Sequence, residues 1–157
     1  MEFLSRIEAS AFCVWVRESS SLWAYPGLMF LHSVGLAIVV GISAMVNLRL
    51  LGFAGGMPVW PLERFFPIMW AGLAVNALSG ATLFAADATT KVMSPLFGVK
   101  MLLVGLAVVN LVLIRRVVFS HPNVDDPVSR FGKCLAAASL LLWFGAAAVG
   151  RLMTALG

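Results

Sequence analysis

Four long apolar runs constrain what this chain can fold into. They extend over about Leu22–Leu51, Phe65–Ala86, Pro95–Ile114 and Cys134–Leu156, and each reaches the roughly 20 residues that a helix needs to cross a bilayer. In oil every backbone N–H and C=O must find its partner inside the segment, so runs of this kind are read as helices. All seven prolines fall at run ends or in the connections between runs, where the lost N–H and the ring clash cost least. The composition agrees: 61% of the 157 residues are hydrophobic and 11% charged, with a mean hydropathy of +0.99, against about 25% charged in a soluble domain. So little charge cannot coat a globule in water. The expectation is an all-α integral membrane domain, an up-down four-helix bundle with short connections.

Residues 2–18 are different. Phe3, Leu4, Ile7, Ala11, Val14 and Trp15 recur at helical spacing, while Arg6, Glu8, Arg17 and Glu18 interrupt the run. A single amphipathic helix lying in the membrane interface fits this pattern. The same charges argue against a cleavable signal peptide, which leaves the first apolar run as an uncleaved insertion signal. Trp23 and Tyr25 suit an interface belt at its start. Asp87–Ser94 reads as a short polar loop, and His121–Arg130 as the longest polar connection, with His121 a solvated loop residue.

The net charge is +4, yet the basic residues cluster at run ends, where they set topology and touch headgroups. No nucleic-acid motif accompanies them, and no nucleic-acid partner is expected. Arg49, Arg64, Arg115, Arg116, Arg130 and Lys133 fall on one side of the membrane, Arg6, Arg17, Lys91 and Arg151 on the other, and Lys100 lies within the third run. The positive-inside bias places both termini outside, in the periplasm if the membrane is a bacterial inner membrane. Cys13 and Cys134 form no CxxC and fall on opposite sides, so no disulfide between them is expected.

Small residues mark helix packing in lipid. Gly72, Asn76 and Gly80 repeat every fourth residue in the second run, and the fourth run is rich in Gly, Ala and Ser. The candidate site lies among the polar residues inside the spans, which are costly there and usually have a reason. His32, Lys100 and Arg151 reach the same outer leaflet by helix order, and Asp87 stands at that level as a partner for Lys100 or Arg151. The plainer alternatives are that Lys100 and Arg151 snorkel to the headgroups and that His32 is a neutral histidine bonded to Ser, Asn or a backbone carbonyl. Met29, His32, Val39, Ser43 and Asn47 fall within about 60° of one line on the first span, a polar-lined face with Asn47 near its inner end. Met29 and His32 also form a Met-His pair at helical spacing, and soft thioether and imidazole ligands suit Cu(I).

Several of these residues carry a resemblance. The stretch 31–52, with His32, Gly35, Asn47 and Leu48–Gly52, resembles the first-span signature of an uncharacterised family of bacterial four-span membrane proteins. Phe97, Lys100 and Asn110 resemble its third-span pattern, and Trp143 with Gly150 and Arg151 its closing one. Asn47 stands where that family usually has Asp. More distantly the chain is similar to copper-resistance D membrane proteins and to HemJ-type protoporphyrinogen oxidases, which share an early-span histidine and a later-span lysine. Asn110 stands about where the HemJ type tends to carry a second histidine. The resemblance implies haem or copper as a cofactor.

Three readings follow. The first is a redox protein that holds haem b or acts on a porphyrin or quinone, with His32 as ligand and Lys100 and Arg151 meeting anionic groups. The second handles copper through His32 and Met29, with Met93, Met101, Met153 and Cys13 near the same side. The third is an accessory subunit of a larger membrane complex, or a homo-oligomer, in contact with lipid and without a cofactor. No Ser/His/Asp, Cys/His or HExxH constellation and no phosphate loop points to hydrolysis or group transfer. Four spans without an inverted repeat do not suggest a transporter.

Overall fold

A computed structural model of the protein describes residues 2–120 and 128–156; His121 lies outside them. The chain forms helices α1 (Glu2–Glu8), α2 (Ala11–Glu18), α3 (Tyr25–Leu51), α4 (Phe66–Ala85), α5 (Ala88–Val92), α6 (Pro95–Val118) and α7 (Arg130–Leu156), with a 3-10 turn, Trp60–Phe65, leading into α4. There is no strand among the described residues. Four helical segments are long and apolar enough to cross a membrane, and the protein is a multi-pass membrane protein with an all-α four-helix bundle fold.

The single helix expected over 2–18 is two helices. Ser10 adopts extended backbone, and its side chain accepts a hydrogen bond from the Cys13 N–H at 3.4 Å. That is an N-cap, and it starts a second helix rather than continuing the first. The break turns Cys13 and Val16 inward, where a single helical stripe would have buried Trp15. Phe3, Phe12 and Trp15 remain exposed, the surface an interfacial segment offers to lipid.

The spans also shift at their ends. The first begins at Tyr25 rather than near Leu22, with Pro26 in its opening turn, where proline loses nothing. It ends at Gly52, whose φ of 109° accommodates the left-handed cap. Within the expected polar loop 87–94, α5 makes one short helix. The third span runs four residues beyond Ile114, because Arg115 and Arg116 favour the negative end of the helix dipole. The fourth begins at Arg130, four residues ahead of Cys134.

Packing orders the spans α4–α3–α7–α6: α3 lies against both α4 and α7, and α6 against α7. The ring closes between α4 and α6 through side chains at the two ends. Phe84 stacks on Phe97 with centroids 5.0 Å apart. Phe66 meets Phe119 edge-on at 5.1 Å, beside Arg115, which approaches Glu63 at 3.9 Å. The buried core gathers Val39, Leu50, Phe66, Met69, Ile114 and Trp143. Large apolar residues such as Phe30, Leu78 and Leu141 face outward, as lipid allows.

The N-terminal helices cap one end of this bundle. The Glu8 carboxylate accepts from the Thr89 hydroxyl at 2.7 Å and the Thr89 N–H at 3.2 Å. Arg17 pairs with Glu8 at 3.4 Å and donates to the Ala86 carbonyl at 3.4 Å. We call this the capped end. The other, which carries Arg49, Arg64, Arg115, Arg116 and Arg130, is the arginine end. Cys13 is buried at the former and Cys134 exposed near the latter, both as free thiols.

Candidate functional site

His32 sits two turns into α3 at the capped end, half-buried against α4. Glycines make room for it. A Cβ at Gly35 would stand 2.7 Å from the Asn76 backbone nitrogen and 2.8 Å from the Gly72 carbonyl oxygen, and one at Gly80 would stand 2.9 Å from His32 Cε1. The repeat Gly72–Asn76–Gly80 therefore serves two purposes: it brings the backbones together, and it seats the imidazole.

The ring is oriented by α4. His32 Nδ1 lies 2.9 Å from the Asn76 carbonyl oxygen and 3.2 Å from Ser79 Oγ. A carbonyl only accepts, so the proton is assigned to Nδ1. Asn76 reciprocates, donating from Nδ2 to the His32 carbonyl at 2.8 Å. Nε2 keeps its lone pair, with Asn76 Nδ2 no nearer than 3.5 Å. A histidine that donates through Nδ1 to a backbone carbonyl presents Nε2 as a ligand or hydrogen-bond acceptor of fixed direction.

Lys100 joins this level from α6. Its stem lies along Gly150 of α7, with Cε 3.5 Å and Nζ 3.6 Å from where a Cβ would stand, and its ammonium is within electrostatic reach of His32. Among the described residues no carboxylate lies within ion-pair distance of Lys100. Asp87, expected as partner to Lys100 or Arg151, is the N-cap of α5 and forms its ion pair with Lys91, four residues on, at 3.5 Å. Arg151 follows Gly150 on α7 and is exposed. Met29 is half-buried one turn before His32. No group of three or more His, Cys, Asp or Glu that could hold a metal occurs among the described residues.

Asn47 belongs elsewhere. Fifteen residues along α3 place it about 22 Å from His32 at 1.5 Å per residue. There Asn47 Nδ2 donates to Ser43 Oγ at 2.9 Å and Ser139 Oγ at 2.8 Å, and the two hydroxyls are 3.3 Å apart. Asn110 Nδ2 donates to the Leu135 carbonyl at 2.9 Å. The face read as one polar lining thus serves two interfaces, His32 toward α4 and Ser43 with Asn47 toward α7. The bonding of His32 to a Ser, an Asn and a backbone carbonyl matches the neutral-histidine alternative drawn from the sequence. Sequence reasoning did not identify Asn76 and Ser79 as the partners. The one available signal was an asparagine set between two glycines at four-residue spacing, which pointed to packing alone.

Chemically, the capped-end site offers an imidazole lone pair and a lysine ammonium at one depth, both half-buried. It can accept a proton or bind a metal centre through Nε2, and it can neutralise an anion or donate to a carbonyl through Nζ. Comparison of the chain with protein-family models, with curated proteins and with solved structures finds no match.

Proposed function

We propose that this is a membrane redox protein whose site, centred on His32, takes haem b or a quinone. The observation that carries the reading is the His32 Nδ1 bond to the Asn76 carbonyl, which leaves the Nε2 lone pair with only the long 3.5 Å contact from Asn76 Nδ2. Either occupant fits that donor set. Haem b would take Nε2 as its histidine ligand and set a propionate against Lys100, supplying one-electron chemistry when bound. A quinol hydroxyl would donate to Nε2 and a quinone carbonyl would accept from Lys100. The half-burial of both side chains suits a group arriving from within the bilayer. The likeness of 31–52 and 97–110 to families with an early-span histidine and a later-span lysine supports the same assignment. We place the protein in a bacterial cytoplasmic membrane with its arginine end inside and both termini outside, on the Lys/Arg bias.

The test is an absorption spectrum and a quinone extraction from protein purified in mild detergent. A haem band or bound quinone, lost in His32→Ala and weakened in Lys100→Met, is expected. A colourless, quinone-free preparation that migrates with large partners on a native gel would replace this reading with that of an accessory subunit. Copper in the preparation, lost in His32→Ala, would replace it with copper handling.

A further inference from the structure

The second polar cluster, between α3, α6 and α7, has a hydrogen-bonding deficit of definite form. Asn47 is 1% exposed, Asn110 6% and Trp143 2%. Asn47 Oδ1, Asn110 Oδ1 and Trp143 Nε1 each lack a partner among the described residues. Leu135, Ser139 and Trp143 fall on successive turns of α7, and the two asparagines bond to the first two of them. Asn47 holds Ser139 Oγ. Asn110 holds the Leu135 carbonyl, the group that accepts the Ser139 N–H within the helix. Trp143 follows Ser139 by one turn.

The hydroxyls add one more term. Asn47 Nδ2 donates to both Ser43 and Ser139, and the contact between the two oxygens uses one hydroxyl hydrogen. The second hydrogen is left to find an acceptor. Two acceptors, Asn47 Oδ1 and Asn110 Oδ1, therefore want donors, and two donors, the Trp143 indole N–H and one serine hydroxyl, want acceptors. Buried polar groups are rarely left so, and a buried water commonly makes about three hydrogen bonds to such groups.

We propose that this cluster is a binding site for one internal water molecule, which donates to Asn47 Oδ1 and Asn110 Oδ1 and accepts from Trp143 Nε1 and a serine hydroxyl. Water matches the deficit in number and in sign. A monovalent cation would use the two amide oxygens but repel the indole N–H. The bound water ties α3, α6 and α7 together in the half of the bundle nearer the arginine end, and it is independent of whatever occupies the His32 site.

The indole N–H vibration of Trp143 reports the site. It is isolated as the ultraviolet resonance Raman difference between the full-length protein and Trp143→Phe, both in detergent. In the wild-type chain we expect the band at its hydrogen-bonded position, and in Asn47→Leu/Asn110→Leu we expect it at the free position. A free band in the wild-type chain would overturn the proposal, since the pocket would then be dry. A bonded band that the double substitution leaves in place would also overturn it, by assigning the N–H a partner other than this water. Thermal unfolding in sodium and in N-methylglucamine chloride completes the test. Equal midpoints are expected, and a midpoint raised by sodium would assign the site to the cation instead.

Discussion

Replacing Gly35 with alanine should separate α3 from α4 and take the His32 site apart without touching any of its polar groups. The added Cβ would stand 2.7 Å from the Asn76 nitrogen, 2.8 Å from the Gly72 oxygen and 3.1 Å from Asn76 Cα. All three are backbone atoms, so no side chain can rotate away. Restoring ordinary contact at 3.4 Å from 2.7 Å needs about 0.7 Å of separation. Taken along the interhelical direction, that stretches the 2.9 Å bond from His32 Nδ1 to Asn76 to about 3.6 Å, beyond hydrogen-bonding range. Overpacking of this kind costs about 1–3 kcal/mol. The two interhelical bonds between His32 and Asn76 add about 0.6 kcal/mol each on the membrane scale. The expected loss is about 2–4 kcal/mol in all.

Denaturation in mixed micelles measures that loss, and the exchange of the His32 Nδ1 proton, followed by NMR of histidine-labelled protein, measures the bond. Gly41→Ala is the control. It is the same substitution in the same helix, but nothing lies within 4 Å of the new Cβ, so it should be neutral or slightly stabilising. If Gly35→Ala and Gly41→Ala agree within about 0.5 kcal/mol, the ordinary scatter of neutral surface changes, the close approach is not what holds His32 in place. The same conclusion follows if the Nδ1 proton exchanges alike in both.

Two further outcomes are expected. Glu8→Ala removes the acceptor for the Thr89 hydroxyl and N–H together with the Arg17 ion pair. Trypsin cleavage at Arg17 should then accelerate while the four spans stay folded, because local opening costs only the local contacts; unchanged cleavage would show that the cap is held by its apolar face instead. Cys134 is the exposed thiol and Cys13 is buried, so a membrane-impermeant maleimide should label intact cells poorly and opened cells well at Cys134. Strong labelling of intact cells would reverse the assigned sidedness.

The fold was largely legible because the bilayer demands so much of a sequence. Length, apolarity and the position of prolines located α3, α4, α6 and α7 to within a few residues, since each condition follows from having no water to satisfy the backbone. The errors fall where hydropathy is the wrong guide. Arg115 and Arg116 end the apolar run but not α6, whose last turn they stabilise. Ser10 splits the N-terminal helix by a single cap, which apolar spacing does not register. The five residues of α5 are too few to give a periodic signal.

His32 and Lys100 were legible in the sequence; their assembly with Asn76 and Ser79 was not. His32 and Lys100 stood out because ionisable groups in oil are costly, and helix order alone set them at one depth. A line drawn along a helical face, however, removes depth from view. Met29 to Asn47 share that line on α3, yet His32 and Asn47 are separated by about 22 Å of helix rise, and over that length α3 changes its neighbour. Where glycines let α4 approach, the face bonds to Asn76 and Ser79; toward the arginine end it bonds to Ser139 of α7. Asn76 was read as a packing position only, because both its roles are interhelical: its carbonyl fixes the imidazole and its amide returns the bond. Neither role leaves a mark on the spacing of α3 or of α4 taken alone. Covariation between positions 32 and 76, or the effect of Asn76→Leu on His32, would carry that information, because it resides in the pair and in neither helix.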